Sequence, residues 1–458
     1  MPAEPAEPAI NESRAAAGSV DRDLLYWGLG LYIASRVYLL LFFQPQVSDV
    51  LVYHNAAVRT VDLDEVVYRD FELGYPPAAY WLMVAPRLAI PGRENFADVE
   101  DFAAAYSTAY RVEMFLLDLA SLALIAGGLA LRRPGHLAIA VYGYTAVTLL
   151  LGHTLYDRTD MSIWFCVALW FYAWTRRTVA DASQSMWTAV AFAAVGLGMA
   201  IKLVTAVMVP FLLLSEWQRR RAPRDLIIPL ITLSLAAATP FLIHLPSAGL
   251  DVLTSIERHG GRGLNIDSTY ASLLMLLRPL GVEMHPEYQV SAWNLESPLT
   301  PALRAAASVC LYGTFAALAV AAWLRRERWS PEVAGRIALL APAILLCVAH
   351  VLSPQYFLWG LGVLLLLGAE LLTQRQYAGW LVVLAFVATL TTFVFPYHLD
   401  QQVEWAGRTV VQPRNLVRAL HRLPCTVLVL RNALFVAATA WLAWRAFPGK
   451  LSATADAR

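Results

Sequence analysis

Long apolar segments alternate with short polar ones along most of the chain. A bilayer core of roughly 30 Å needs about 20 apolar residues per helix. The pattern predicts twelve membrane spans, at 24–43, 110–131, 136–152, 160–175, 187–201, 203–217, 226–245, 303–324, 335–352, 355–372, 377–396 and 426–446. Clusters of arginine fall on one side of this arrangement, at Arg132-Arg133, Arg176-Arg177, Arg219 to Arg221, Arg325-Arg326 with Arg328, and Arg375. Because basic loops stay in the cytoplasm, both termini are predicted to be cytoplasmic.

The twelve-span count depends on the region around Lys202. This lysine interrupts an otherwise apolar stretch between Arg177 and Arg219. A single span there would place Arg219 outside and break the positive-inside pattern. We therefore favour two short helices that turn at Lys202, with the single span as the alternative.

One transmembrane domain is predicted over 21–446, with cytoplasmic tails at 1–20 and 447–458. Three predicted external loops are long, at 44–109, 246–302 and 397–425. The first loop is predicted to contain an amphipathic helix over 50–61 and an interfacial helix over 77–89, entered through Pro76-Pro77.

Composition agrees with a membrane protein. The chain is 58% hydrophobic and only 15% charged, whereas soluble domains carry about 25% charged residues. An all-α polytopic fold is therefore predicted. The net charge of +1 says little about partners, and no nucleic-acid partner is expected. Residues 1–20, rich in Ala, Pro and Glu, are predicted to form a disordered tail and not a signal peptide.

Four cysteines lie far apart, with no disulfide or metal-ligand spacing, and are interpreted as small hydrophobic residues: Cys166, Cys310, Cys347 and Cys425.

Asp49 is the first candidate for chemistry. It follows the first span and precedes Tyr53 and His54 at helical spacing. It could act as a general base towards an acceptor hydroxyl, or simply cap the helix over 50–61. Asp62 and Asp64 could together hold a divalent cation, although solvated loop charges are the preferred interpretation.

Ionisable residues at predicted membrane boundaries are further candidates, because such groups are costly unless paired or hydrated. His153, Asp157, Arg158 and Asp160 occupy a short external turn. Asp157 and Arg158 could alternatively form a surface ion pair, and Asp160 could cap a helix. Lys202 could bind phosphate or snorkel to the interface.

Two further loops carry polar groups. Residues 257–272 combine His259, Arg262 and three glycines, which suits an anion but also fits an ordinary loop-to-helix transition. Residues 350–356 contain His350, Ser353 and Gln355, which could line a pocket or satisfy backbone groups freed by Pro354.

Taken in order, these motifs resemble glycosyltransferase family 87, within the GT-C superfamily. The residues that carry the resemblance are Asp49; Tyr68, Asp70, Phe71, Tyr75, Pro76 and Pro77; Lys202; Arg262, Gly263, Leu264, Ile266, Asp267 and Ser268; and Ser353, Pro354, Gln355 and Tyr356. No single motif is specific, but their order along residues 24–396 is. The chain departs from the family pattern at Asn265 and Asp267, where Gln and Glu are usual, which leaves the sugar open.

The resemblance implies a GT-C fold whose active site lies on the outer face of the plasma membrane. It implies transfer of a hexose, with mannose first, from a polyprenyl phosphate to a glycolipid or glycan acceptor, with inversion and without a metal or other cofactor. Asp49 would be the base. Lys202, Arg262 and His259 would bind the donor phosphate. Sugar or acceptor contacts are expected from His54, Tyr75, Asp157, Asp160, Asp267, His350 and Gln355.

Three alternatives stay open. The donor sugar could be arabinofuranose, as in other members of that family. The chain could instead be a lipid or sugar transporter, or a ligase that transfers a preassembled glycan. Transporters place substrate groups near the membrane midplane, whereas most candidates here map to the outer boundary.

Overall fold

The structure is a computed structural model that describes residues 21–42, 47–179, 184–220, 222–257, 262–289, 292–327, 329–395, 398–405, 408–415, 417 and 420–447. The predicted tail 1–20 and residues 448–458 of the C-terminal tail lie outside these ranges.

Helices dominate the described residues. The α-helices are α1 Arg22–Leu41, α2 Val47–Val61, α3 Pro77–Leu88, α4 Val99–Arg132, α5 Leu137–Leu150, α6 Gly152–Leu155, α7 Asp160–Val179, α8 Gln184–Ile201, α9 Val209–Arg220, α10 Ile227–Ala248, α11 Thr254–Glu257, α12 Thr269–Leu277, α13 Thr300–Leu324, α14 Pro331–Val348, α15 Phe357–Leu371, α16 Gln374–Val394 and α17 Arg422–Ala446. Two antiparallel hairpins are formed by β1 His285–Gln289 with β2 Ala292–Glu296, and by β3 His398–Trp405 with β4 Arg408–Asn415.

Nine of the described helical segments are long and apolar enough to cross a membrane. They contain α1, α4, α8, α10, α13, α14, α15, α16 and α17. The protein is therefore an all-α, multi-pass membrane protein, as predicted. The other three predicted spans form α5, α7, and a 3-10 turn at Leu203–Met208 that leads into α9.

The helix α4 is longer than its predicted span over 110–131. The Asp98 side chain accepts hydrogen bonds from the Glu100 and Asp101 backbone amides, so the helix begins at Val99. Hydropathy alone missed this start because the first turns of the helix are polar.

The helix α15 forms the centre of the molecule. Every residue from Phe357 to Glu370 is buried, as expected for a helix that is apolar on all sides. It contacts α5, α7, α14, α16 and α17. A Cβ on Gly362 would lie 2.5 Å from the Trp164 ring, so glycine permits α7 and α15 to pack closely.

The chain reverses direction at Lys202, as the hairpin interpretation predicts. The helix α8 ends at Ile201, and Lys202 adopts an extended conformation with φ −164° and ψ 118°. The Thr205 hydroxyl donates a 2.8 Å hydrogen bond to the Val195 carbonyl. The turn at Leu203–Met208 therefore packs back against α8.

A buried ionic network joins the first helices. Asp118 on α4 accepts hydrogen bonds from Arg36 Nε at 2.8 Å, Tyr32 OH at 3.1 Å, Tyr156 OH at 2.6 Å and Tyr144 OH. A buried carboxylate is stable only when it is paired and hydrogen-bonded. We did not select Arg36 or Asp118 from the sequence, although both are charged residues in apolar segments.

The long predicted loop 246–302 contains ordered elements. The segment after Arg262 pairs with strand β2. The Ile266 amide donates to the Trp293 carbonyl at 2.9 Å, and the Leu295 amide donates to the Leu264 carbonyl at 2.8 Å. A Cβ on Gly263 would lie 2.7 Å from Asn294 Cγ. Glycine at this position leaves room for the Asn294 side chain.

Candidate functional site

Residues from eight separate parts of the chain surround one cavity of about 800 Å³. Among them are Asp49 from α2, Arg158 from the turn before α7, Lys202, Arg262, and Gln355 from the turn before α15. The volume falls within the roughly 300–1,000 Å³ of small-molecule sites. The predicted base, Asp49, and two of the predicted phosphate ligands, Lys202 and Arg262, therefore line the same cavity.

Asp49 lies in the first turn of α2, where the helix dipole favours a carboxylate. Its carboxylate pairs with the guanidinium of Arg158. The Asp49 side chain is 30% exposed, whereas that of Arg158 is 7% exposed. Asp49 is thus accessible to a ligand in the cavity and held by a more deeply buried cation.

The Asp160 carboxylate holds the ammonium group of Lys202 in place. Its Nζ lies 3.0 and 3.1 Å from the two carboxylate oxygens, and Trp359 Nε1 donates to the same carboxylate at 2.9 Å. The ammonium also lies 4.1 Å from the centroid of the Tyr356 ring. These contacts therefore fix the direction of the Lys202 ammonium at the end of its predicted span.

Arg262 lines the cavity. Its Nε atom has no hydrogen-bond partner among the residues that the structure describes. A half-buried guanidinium of this kind suits a bidentate anion such as phosphate. His259 falls in the adjoining segment 258–261, outside the described residues.

The segment after Arg262 is anchored to α17. Arg431 Nη2 and Asn432 Nδ2 each donate to the Asp267 carbonyl at 2.9 Å. Asp267 lines the cavity, and its carboxylate faces Arg431 Nη1 at 3.5 Å. We did not select Arg431 or Asn432, and the missed signal was a charged residue inside the predicted span 426–446.

His350 supports the same segment. Its carbonyl accepts a 3.0 Å hydrogen bond from the Asn265 amide. Burial lowers the pKa of His350, Arg304 lowers it further, and a hydrogen bond with the Arg262 backbone opposes both effects. His350 is not among the residues that line the cavity, so its position differs from the predicted sugar contact.

Tyr75 lines the cavity. Its hydroxyl lies 3.3 Å from the hydroxyl of Tyr53, and its carbonyl accepts a 2.7 Å bond from Tyr68 OH. Burial, as the largest cause, raises the pKa of Tyr75 to about 12. The phenol is therefore a neutral hydrogen-bonding group at ordinary pH.

Gln355 also lines the cavity. The Ser353 hydroxyl donates to its Oε1 at 2.5 Å. This contact orients the carboxamide and leaves its NH₂ as the group that can donate to a ligand.

Three other predicted contact residues lie away from the cavity. His54 is buried among the rings of Phe102 and Tyr106, 5.2 and 5.0 Å between centroids. Asp157 faces Arg111 Nε at 3.3 Å, so it does not form the suggested surface pair with Arg158. Asp160 lies beneath Lys202 and does not line the cavity.

The Asp62-Leu63-Asp64 segment does not contribute to the cavity. Asp62 Oδ2 accepts a 2.9 Å hydrogen bond from Arg87 Nε, and Asp64 is exposed with φ +56°. Within the described part of the chain, no three His, Cys, Asp or Glu side chains converge to hold a metal ion.

Aromatic and acidic residues complete the cavity wall, and sequence reasoning missed them: Glu72, Tyr288, Trp293 and Phe395. They lie in long loops or at a helix end, where hydropathy carries no information about the cavity. The arrangement thus brings together one accessible carboxylate, an oriented lysine, a second cation in Arg262 and several hydrogen-bonding groups. It can bind an anion beside a group that accepts a proton.

No protein-family model matches the sequence, and neither does any curated protein. A solved structure with similarity to this chain is that of ArnT from Cupriavidus metallidurans bound to undecaprenyl phosphate. It shares 15% sequence identity, with 92% of this chain and 77% of that chain covered, at a TM-score of 0.39. A TM-score at this level carries no weight for fold or function.

Proposed function

We propose that the protein is a GT-C-type membrane glycosyltransferase. It transfers a hexose, with mannose as the first candidate, from a polyprenyl-phosphate sugar to a glycolipid or glycan on the outer face of the plasma membrane. The observation that carries the proposal is the convergence of Asp49, Lys202 and Arg262 on one cavity.

The two cations suit the leaving group of such a donor. When the bond from the sugar to phosphate breaks, the phosphate gains negative charge. Cations aimed at the place where this charge develops stabilise the transition state. Arg262 supplies a planar pair of donors, and Lys202 supplies a point charge whose direction Asp160 fixes.

A single carboxylate is then sufficient for the other half of the reaction. The phosphate departs without needing a proton, unlike the alkoxide of a glycosidase, which requires a second carboxyl group as acid. Asp49 accepts the proton of the acceptor hydroxyl as that oxygen attacks the anomeric carbon. Direct displacement inverts the anomeric centre.

The ion pair between Asp49 and Arg158 fits this sequence of events. In this pair Arg158 neutralises the Asp49 carboxylate. A donor phosphate is a competing anion for the guanidinium, so binding of the donor would draw Arg158 away and leave Asp49 free to accept a proton. Arg158 is therefore a third cation available to the phosphate.

The test is a transfer assay with purified protein in lipid nanodiscs. Radiolabelled polyprenyl-phosphate mannose and polyprenyl-phosphate arabinose are offered separately with membrane glycolipids. Mass analysis of the products should show one added hexose from the mannose donor. Addition of a pentose from the arabinose donor would show that the transferred sugar is arabinofuranose and not a hexose.

Two other outcomes would reject the proposal. Movement of the labelled lipid across the bilayer without a new glycosidic bond would identify a transporter. Transfer of a whole lipid-linked glycan in a parallel assay, with neither monosaccharide transferred, would identify a ligase.

A further inference from the structure

The hairpin β1–β2 carries two aromatic side chains on the cavity wall. Tyr288 and Trp293 are direct cross-strand partners, with ring centroids 5.4 Å apart and planes inclined at 56°. Both line the cavity, and Tyr288 is 61% exposed. Phenol and indole surfaces of this size are normally buried, so a pair directed at a polar cavity points to a ligand.

Backbone contacts hold the strand of Trp293 in place. The Trp293 carbonyl accepts a hydrogen bond from the Ile266 amide, and Asn265 bridges to Asn294. The same segment begins at Arg262 and is anchored through Asp267 to α17. The strand that carries Trp293 therefore has a defined position relative to Arg262.

The surroundings of the pair decide what kind of ligand fits. An isoprenoid chain would need an apolar lining, whereas this cavity also presents Asn265, Gln355 and Glu72. A sugar ring combines both requirements. Its C–H face packs on an aromatic face, whose quadrupole is negative, while its hydroxyl groups reach polar side chains around the edge.

We propose that Tyr288 and Trp293 form a binding platform for a sugar ring of the acceptor. The acceptor is then a glycan or glycoside, recognised by its carbohydrate and not by its lipid. This inference extends the proposed function, and it rests on that function for the identification of the bound sugar as part of the acceptor. Carbohydrate binding itself can be measured without any transfer reaction.

The experiment uses the full chain in nanodiscs and compares two ligand classes. Saturation-transfer NMR and calorimetry measure binding of methyl glycosides and disaccharides of mannose, glucose, galactose and arabinose. Farnesyl phosphate represents the lipid phosphate. Trp293→Ala and Tyr288→Ala should each weaken binding of the preferred saccharide about tenfold, in line with the loss of one well-packed contact, and should leave farnesyl phosphate binding within about twofold.

Matched variants separate contact from folding. Trp293→Phe and Tyr288→Phe keep an aromatic face and should retain most saccharide affinity. Gln289→Ala changes an exposed residue of the same hairpin that does not line the cavity, and should behave as wild type.

Two results would overturn the platform. One is saccharide binding that is unaffected by both alanine variants or absent from the wild-type protein. The other is selective loss of farnesyl phosphate binding, which would assign the pair to the donor lipid. Failure of the proposed function looks different, because saccharide binding would then depend on Trp293 although no donor is turned over.

Discussion

Asp49 and Arg158 form an ion pair on the wall of the cavity, although one lies in α2 and the other in the turn before α7, far away in the sequence. A carboxylate at a membrane boundary is expensive when alone, and pairing with Arg158 lowers that cost. The pair also holds the proposed base beside the proposed phosphate site.

Replacement of Asp49 by Asn should remove turnover and spare donor binding. The amide keeps the size of the side chain but cannot accept a proton, so the transfer rate should fall by about 10²–10⁴-fold, the range of general-base catalysis. Donor affinity, measured by calorimetry with polyprenyl-phosphate mannose, should not fall, because the neutral amide no longer competes with the phosphate for Arg158.

Asp64→Asn is the matched control for that variant. Asp64 is exposed in the same polar segment, and asparagine tolerates its positive φ. It should transfer sugar at the wild-type rate. If Asp49→Asn retained turnover, another group would have to be the base.

Lys202 and Asp160 should behave as one energetic unit. Asp160→Asn leaves the partly buried ammonium without its carboxylate, and Lys202→Met leaves a buried carboxylate without its cation. Each single change should lower the free energy of unfolding by about 3 kcal/mol. Titration with SDS in mixed micelles measures this quantity.

The double variant Asp160→Asn with Lys202→Met decides whether the two residues are coupled. Both charges are then absent, so its loss of stability should be clearly smaller than the sum of the two single losses. Simple additivity would show that the pair does not act together. Donor affinity should fall in both variants that lack Lys202, since the cation itself is missing.

His54 should make stability dependent on pH. Burial lowers its pKa from 6.5 to about 4. Above pH 6.5 the ring is neutral in both states. Between pH 6.5 and 4 the unfolded chain binds a proton that the folded chain does not, so the free energy of unfolding falls, by at most about 3 kcal/mol.

His54→Phe should remove that component. His54 Nε2 has no hydrogen-bond partner among the described residues, and the ring packs between aromatic side chains. An apolar ring therefore costs little at neutral pH. The wild-type protein should lose more stability than His54→Phe between pH 7 and pH 4.5; equal losses would contradict the assignment.

Gly263→Ala should loosen the hairpin that carries the aromatic pair. The new Cβ would lie 2.7 Å from Asn294 Cγ, inside the buried contact between the two segments. We expect a loss of about 1–3 kcal/mol in unfolding free energy, with weaker saccharide binding. Gly313→Ala is the control, because a Cβ there meets nothing within 4 Å; it should be neutral or slightly stabilising.

The alternation of apolar and polar segments was sufficient to predict an all-α, multi-pass protein, the break at Lys202 and the two helices of the first loop. The helices depend on length and composition within one segment, which hydropathy measures directly, and the break at Lys202 follows from the distribution of arginine between the loops. The same pattern could not place the start of α4 at Val99, because that start depends on the Asp98 side chain and not on hydropathy.

Pairings between distant charges were decided only by the tertiary structure. From the sequence, Asp157 and Arg158 look like partners for each other, yet they contact Arg111 and Asp49. Neighbours in a turn point in different directions, so their partners depend on which helices pack on either side. Two other pairs, Arg36–Asp118 and Arg431–Asp267, also join residues that are distant in the sequence and meet only through helix packing.

The sequence by itself determined that the chain crosses a membrane many times and that most of its candidate site residues would lie near the ends of helices. A long apolar segment can satisfy its backbone only as a helix in lipid, and charge is excluded from the segments that lipid surrounds. Only the packing of the helices decided which of those polar residues share a cavity. That outcome depends on contacts between residues hundreds of positions apart, which no local pattern encodes.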